Sequence, residues 1–132
     1  AILADTPTAA GLMSLCEDLG MVPVLTGLVD RTMGGRQALK EALARGGLAL
    51  TCPVLENPSA TDVAEALEEC EPPEILVSPD VWLPHDVTRD VARVEMGIPS
   101  NRRHAIYAQP VLGYRGAICM AQRLMDARAG VH

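Results

Sequence analysis

The sequence has 132 residues, a formal net charge of −6, 48% hydrophobic residues and 2% aromatic residues. A chain of this length forms one domain with a core of ordinary size. The acidic balance and the scarcity of aromatic rings exclude a typical nucleic-acid-binding protein, which needs basic surface and stacking platforms. No apolar run approaches the ~20 residues that cross a bilayer, so we expect no membrane partner.

Apolar strands alternate with amphipathic helices along the chain. The predicted elements are strand 2–3, helix 6–19, strand 21–28, helix 36–45, strand 48–54, a helix from 59, strand 75–77, a short helix through 87–94, a short strand or extended piece at 96–99 and a final helix at 113–127. Ser59 and Asp62 resemble a capping box, in which two side chains and backbone groups satisfy each other at a helix start. Strand–helix–strand units of this spacing form right-handed parallel crossovers. The sequence therefore predicts a doubly wound, Rossmann-like α/β domain with a mostly parallel sheet of four or five strands.

The last two helices are assigned inner faces from the spacing of their apolar residues. The positions expected to face the core are Val87, Val91 and Val94 in the short helix, and Ile118, Ala121 and Met125 in the final helix.

The four cysteines, Cys16, Cys52, Cys70 and Cys119, are widely separated. Without a Cys-x-x-Cys pair, the chain has neither a zinc-ribbon nor a thioredoxin-type motif. Three of them fall at apolar positions of predicted helices, which is typical of reduced core thiols in a cytoplasmic protein. Cys52, beside Pro53, stays open to another role.

Nucleotide-binding motifs are missing. A dinucleotide site needs Gly-x-Gly-x-x-Gly after the first strand, whereas residues 4–11 are Ala-Asp-Thr-Pro-Thr-Ala-Ala-Gly. The sequence shows no pairing of a nucleophile with a base, which disfavours a stand-alone small-molecule enzyme. The cluster of Glu68, Glu69 and Glu71 has no interpretation beyond a solvated or partner-facing surface.

The most unusual chemistry lies at residues 97–125, GIPSNRRHAIYAQPVLGYRGAICMAQRLM. Arg102, Arg103 and His104 follow Gly-Ile-Pro-Ser, and Pro-Val-Leu-Gly-Tyr-Arg-Gly then leads into the final helix. This stretch resembles the C-terminal part of nitrogenase component 1-type oxidoreductases. That superfamily includes dinitrogenase subunits, cofactor-assembly scaffolds and dark-operative protochlorophyllide and chlorophyllide reductases. Its members are several times longer, so the resemblance implies that 1–132 is a single domain excised from a longer subunit.

The resemblance also implies a set of cofactor-binding residues. These residues are Arg102, Arg103, His104, Gly113, Tyr114, Arg115 and Gly116. His104 corresponds to a metal-cluster ligand, and the arginines would be counter-charges to an anionic cluster or to ligand carboxylates. From the residues alone, a loop histidine and surface arginines are more often solvated. His85 and His132 are weaker candidates.

Two functions follow from the resemblance and stay open. In the first, the chain is the cofactor-facing domain of a reductase subunit that takes electrons from an iron–sulfur ATPase donor, with a second component 1 subunit as partner. In the second, it is a non-catalytic assembly scaffold or a Rossmann-like binding module. An iron–sulfur or related metal cluster is implied for the parent protein. The isolated domain is expected to hold none and to be inactive, because the family's relay cysteines lie in other domains.

The position of the site follows from topology. Parallel strands deliver the loops at their carboxyl ends to one edge of the sheet. We therefore expect the loop 101–105, the helix start at 113–116 and the loops after Leu28 and Ser78 to face one cleft, with Asp30 and Asp80 near it.

Overall fold

A computed structural model describes residues 1–31, 33–79, 91–96 and 113–130. The elements in chain order are β1 (Ile2–Ala4), α1 (Thr6–Asp18), β2 (Thr26–Leu28), α2 (Gly35–Arg45), β3 (Val54–Glu56), α3 (Ala60–Glu69), β4 (Ile75–Ser78), β5 (Ala92–Glu95) and α4 (Gly113–Arg128). No helix in these ranges is long and apolar enough to cross a membrane.

The five strands form one sheet in the order β3-β2-β1-β4-β5, and every described pairing is parallel. The central strand β1 is in register with both neighbours, since Ile2 lies opposite Thr26 on one side and Val77 on the other. The predicted doubly wound α/β fold is therefore confirmed.

Helices cover both faces of this sheet. On one face, Ile2 and Val77 pack in a cluster that includes residues of α1, α2 and α4, such as Leu12, Leu39 and Leu124. On the other face, Leu3 and Leu76 pack against Val63 of α3. Successive strand residues point to opposite faces, so this alternation gives each layer its own apolar contacts. Leu3, Leu76 and Val63 are fully buried, which fixes the register of the central strands.

Two strand positions differ from the prediction because pairing, not apolar content, decides where a strand lies. The sequence predicts strands at 21–28 and 48–54, but the observed strands are Thr26–Leu28 and Val54–Glu56. Thr26 is the first β2 residue in register with both β1 and β3. Leu48 and Leu50 still pack against the core from outside the ladder.

The predicted short helix through Val94 is wrong in the part that the structure describes. Ala92–Glu95 is a strand, with Val94 buried and opposite Val77 of β4. β-Branched residues suit a sheet better than a helix, so the valine spacing was a misleading signal. β5 thus lies just before the extended piece predicted at 96–99, of which Met96 alone is described. The N–H of Met96 donates to the Ser78 carbonyl across 3.0 Å.

The inner face of α4 was also assigned wrongly. Its buried residues are Gly116, Met120 and Leu124, whereas Ile118 and Met125 are exposed. Residues two positions apart on a helix point in nearly opposite directions. The helix therefore carries two apolar faces, and the core covers the one that was not predicted.

Candidate functional site

Polar side chains collect at the carboxyl edge of the sheet. Asp5 follows β1, Asp30 follows β2 at a distance of two residues, and Glu56 and Glu95 end β3 and β5. Ser78 ends β4 and is buried. In open α/β folds this edge is where ligands bind.

The carboxylates of this edge cap the helices that start there. Asp5 Oδ1 accepts a hydrogen bond from the Thr8 N–H across 2.8 Å, and Asp30 Oδ2 accepts one from the Thr6 N–H across 3.1 Å. Glu56 Oε1 accepts one from the Arg36 N–H across 2.7 Å. A helix N-terminus has unpaired N–H groups and a positive dipole end, which a carboxylate stabilises. The starts of α1 and α2 are thus occupied by the chain's own anions.

The starts of α1 and α2 also lie close together at this edge. A Cβ placed on Gly35 would come within 3.1 Å of Leu28 Cδ1 and 3.2 Å of Thr6 Oγ1, and within 3.7 Å of Glu56 Oε1. Thr6 is 8% exposed, and its hydroxyl oxygen has no hydrogen-bond partner among the described residues. A phosphate that approached the N–H groups of Thr6, Thr8 and Arg36 would have to displace the carboxylates of Asp5, Asp30 and Glu56.

The start of α4 resembles that of α2, where Gly34 has φ +76° and Arg36 is exposed in a first turn without acidic residues. Gly113 has φ +70°, a left-handed conformation that favours glycine. Tyr114 and Arg115 are exposed, Gly116 is buried, and the first turn holds no acidic residue. At the other end of the helix, Arg128 Nε lies 3.8 Å from Glu74 Oε2, just before β4. The helix therefore runs back along the sheet and begins on the side of the carboxyl edge.

The structure describes only part of the predicted set of cofactor-binding residues. Gly113, Tyr114, Arg115 and Gly116 form the first turn of α4. Arg102, Arg103, His104 and Asp80 lie outside the described residues, so the shared cleft stays a prediction. Within the described ranges, no three His, Cys, Asp or Glu residues lie together in a way that could hold a metal ion. This part of the chain does not by itself fit a metal cluster.

None of the four cysteines forms a disulfide. Cys16 and Cys52 are buried, and Cys70 and Cys119 are half-buried. Burial raises the pKa of the Cys16 thiol. Cys52 Sγ lies 3.4 Å from the hydroxyl of the buried Thr26, so the cysteine that was left open contacts β2 inside the fold.

A cavity of about 390 Å³ opens at the opposite, amino edge of the sheet. Its lining includes Met21, Val24, Pro73, Ile75 and Leu124. The lining also includes charged residues, of which Glu74 and Arg128 are paired with each other. The chemistry of the carboxyl edge therefore makes that edge the better candidate site, although the cavity is elsewhere.

Sequence reasoning missed the capping roles of Asp30 and Glu56. The signal was present, since an acidic residue stands at or just beyond the end of β2 and of β3. It is hidden because the predicted strand 48–54 ends before Glu56 and because the partner of Glu56 is 20 positions away.

The fold and this edge define a doubly wound α/β domain of Rossmann-like class. The sequence pattern of the family described as nitrogenase component 1 type oxidoreductase matches residues 1–128. The chain therefore belongs to that family.

A solved structure described as "Nitrogenase Cp1 at pH 6.5" has the same fold, with a TM-score of 0.79 and 21% sequence identity. The match covers 98% of this chain and 28% of the nitrogenase chain, so the chain spans less than a third of that relative's length. No curated protein matches the sequence.

Proposed function

We propose that this chain is the cofactor-facing domain of a nitrogenase-like oxidoreductase subunit, which takes electrons from an iron–sulfur donor protein to reduce a substrate. The observation that carries the proposal is the family match over residues 1–128. The parent subunit would contain further domains and pair with a second component 1 subunit in the cytoplasm. An iron–sulfur ATPase would be its electron donor.

The proposed contacts with the cofactor come from residues 102–104 and from the start of α4. His104 would bind a metal, while Arg102, Arg103 and Arg115 would offset negative charge on the cluster or on ligand carboxylates. Arg115 is exposed in a turn without acidic residues, which supports this assignment. When bound, such a cluster would supply one-electron chemistry that side chains lack.

The carboxylates that cap α1 and α2 support a cofactor position near α4. Asp30 and Glu56 neutralise the starts of α1 and α2, so these helices would not compete for an anionic cofactor. The first turns of α2 and α4 both carry an exposed arginine, Arg36 and Arg115. The Arg36 N–H already binds Glu56, whereas among the described residues no carboxylate bonds to the first turn of α4. We therefore place the cofactor nearer α4 than α1.

The second candidate function is an assembly scaffold, which would hold a cluster for transfer without reducing a substrate. The family match supports both candidates equally. A reductase would turn over substrate when supplied with electrons from its donor protein. A scaffold would instead pass its iron to a cluster-free acceptor protein without turnover.

The test of the cofactor site is the whole protein with His104→Ala, compared with His132→Ala as a matched histidine control. We expect His104→Ala to lose most of the iron and visible absorption that the protein holds beyond the relay cluster of the other domains, since losing even a hydrogen-bond partner of a ligand typically weakens metal binding about 10–100-fold. His132→Ala should keep its iron. In the chain 1–132, which is expected to hold no cofactor, the urea midpoint should hardly move in either variant. Both histidines are predicted to lie outside the core, where a substitution shifts stability by about 0.5 kcal/mol or less. Unchanged iron in His104→Ala would refute the proposed ligand.

A further inference from the structure

The final helix has an apolar face that the described residues of this domain leave uncovered. Tyr114 is 83% exposed, Ile118 53% and Met125 47%, and Ala121 lies between them half-buried. The positions i, i+4, i+7 and i+11 fall on one side of a helix. We call these four residues the α4 stripe.

The α4 stripe is distinct from the face that packs on the sheet. Gly116, Met120 and Leu124 are buried on that side, where Met120 and Leu124 join the cluster that contains Val77 and Val94. Charged and polar side chains such as Arg115 and Gln122 occupy a third, exposed side. A helix with two apolar sides is typical of one packed between two bodies.

We propose that the α4 stripe packs against another domain of the same polypeptide. This inference rests on the proposal that the chain is one domain of a longer subunit. The solved nitrogenase chain is long enough to supply such a domain, because the match covers only 28% of it.

The size of the stripe fits a partner domain on the same chain. Its three large side chains expose roughly 400 Å², given about 150–250 Å² for a large side chain. A stable complex between separate proteins buries about 800 Å² of polar and apolar surface on each partner, so the stripe alone would supply about half of such an interface. Contacts between domains of one chain hold with less surface, because the linker keeps the effective concentration of the partner domain high.

Methionine oxidation in the whole protein tests the proposal without any substitution. Hydrogen peroxide oxidises exposed methionine to its sulfoxide, and peptide mass spectrometry gives a rate for each methionine, native and in urea. Met120 is 5% exposed on the same helix and is the buried reference. We expect native oxidation of Met125 to be at least ten times slower than in urea, as for Met120. A native rate within two- to threefold of the rate in urea would overturn the proposal.

Dilution identifies the partner. The oxidation is repeated at a concentration at which light scattering shows a single subunit. Protection of Met125 should persist there if the covering domain belongs to the same chain. Loss of protection on separation would assign the α4 stripe to the interface with another subunit and would overturn the proposal.

Two variants of the whole protein give an independent measure. Ile118→Asp puts a charge in the α4 stripe, while Gln122→Asp puts the same charge on the exposed polar side. We expect limited proteolysis of Ile118→Asp to be at least tenfold faster than that of the unsubstituted protein, and that of Gln122→Asp to be unchanged. Equal rates for the two variants would count against the proposal. Protection of Met125 should be the same in His104→Ala protein that has lost the proposed cofactor. A wrong assignment of the cofactor site would therefore leave this result unchanged.

Discussion

The side chain of Glu56 and the backbone N–H of Arg36 are joined by a 2.7 Å hydrogen bond. Glu56 ends β3, and Arg36 lies in the first turn of α2, the helix that follows the neighbouring strand β2. Asp30, after β2, makes the equivalent bond to the start of α1, which follows β1. Each acid thus binds the start of the helix that follows the neighbouring strand, not the helix that follows its own strand. These caps therefore depend on which strands are neighbours in the sheet.

Replacing Glu56 by Ala should destabilise the chain 1–132 by about 1 kcal/mol, since the variant loses both a cap and a favourable charge at the helix start. Glu56→Gln keeps an acceptor oxygen and should lose about half as much. Glu65→Ala, on the exposed side of α3, removes the same charge away from any helix start. Urea unfolding gives the free energies of unfolding; an equal loss in Glu65→Ala would show that net charge, not capping, is responsible.

We expect the chain not to bind NAD(P)H or ATP. The glycine fingerprint is absent after β1, and Asp30 and Glu56 occupy the N–H groups that would bind phosphates. A nucleotide would bring further negative charge to these carboxylates. Isothermal titration calorimetry measures the binding, and a micromolar dissociation constant for either nucleotide would contradict the prediction.

Local patterns predicted the element order and one helix cap. The alternation of apolar runs and helical stripes gave a parallel α/β sheet, and the Ser59–Asp62 capping box is present as expected. Both depend on residues a few positions apart. The caps by Asp30 and Glu56 could not be predicted in this way, because their partners lie 24 and 20 positions away and are set by strand order.

The errors have the same physical origin. In α4, the spacing of Ile118 and Met125 is as helical as that of Met120 and Leu124, so sequence alone does not tell which apolar face meets the sheet. In β5, Val94 has a helical spacing to earlier valines but pairs with Val77. Tertiary partners decided both cases, and for residues 102–104 the resemblance to the family remains the sole basis of their assignment.

Two glycine substitutions should change stability in opposite directions. A Cβ on Gly27 would lie 2.6 Å from Cδ2 of the fully buried Leu3, so Gly27→Ala should cost about 1–3 kcal/mol by overpacking. Gly11 lies within α1, and a Cβ added there would meet no heavy atom within 4 Å, so Gly11→Ala should add about 0.5–1 kcal/mol through helix propensity. Urea unfolding of the chain 1–132 measures both. A stabilising Gly27→Ala would contradict the packing around Leu3.

The capping box should make α3 sensitive to acid. Hydrogen bonds from the Ser59 backbone N–H and then from the Ser59 hydroxyl lower the pKa of Asp62. Because the folded-state pKa lies below the unfolded one, the stabilisation is present above the unfolded pKa. It is lost as the pH falls through the lower, folded pKa.

NMR titration of the Asp62 carboxyl measures this effect. Ser59→Ala removes the hydroxyl donor but keeps the backbone donor, so the pKa of Asp62 should rise toward its ordinary value without reaching it. Ser14→Ala, at an exposed position of α1, is the control. An unchanged pKa in Ser59→Ala would mean that the hydroxyl contributes nothing to the cap.

The cysteines of the chain 1–132 should react in the order of their burial, with Cys16 and Cys52 slower than Cys70 and Cys119. The thiolate is the nucleophile, and burial raises the pKa of Cys16, so both access and the reactive fraction are reduced there. Iodoacetamide at pH 8, with peptide mass spectrometry, should show Cys16 alkylated at least ten times more slowly in native protein than in urea. Fast native alkylation of Cys16 would show that the contact between α1 and the sheet opens readily.

The raised pKa of Cys16 also means that this thiol adds stability below its unfolded pKa, and that this contribution is lost as the pH rises through the folded pKa. Cys16→Ala should therefore flatten the loss of stability at alkaline pH.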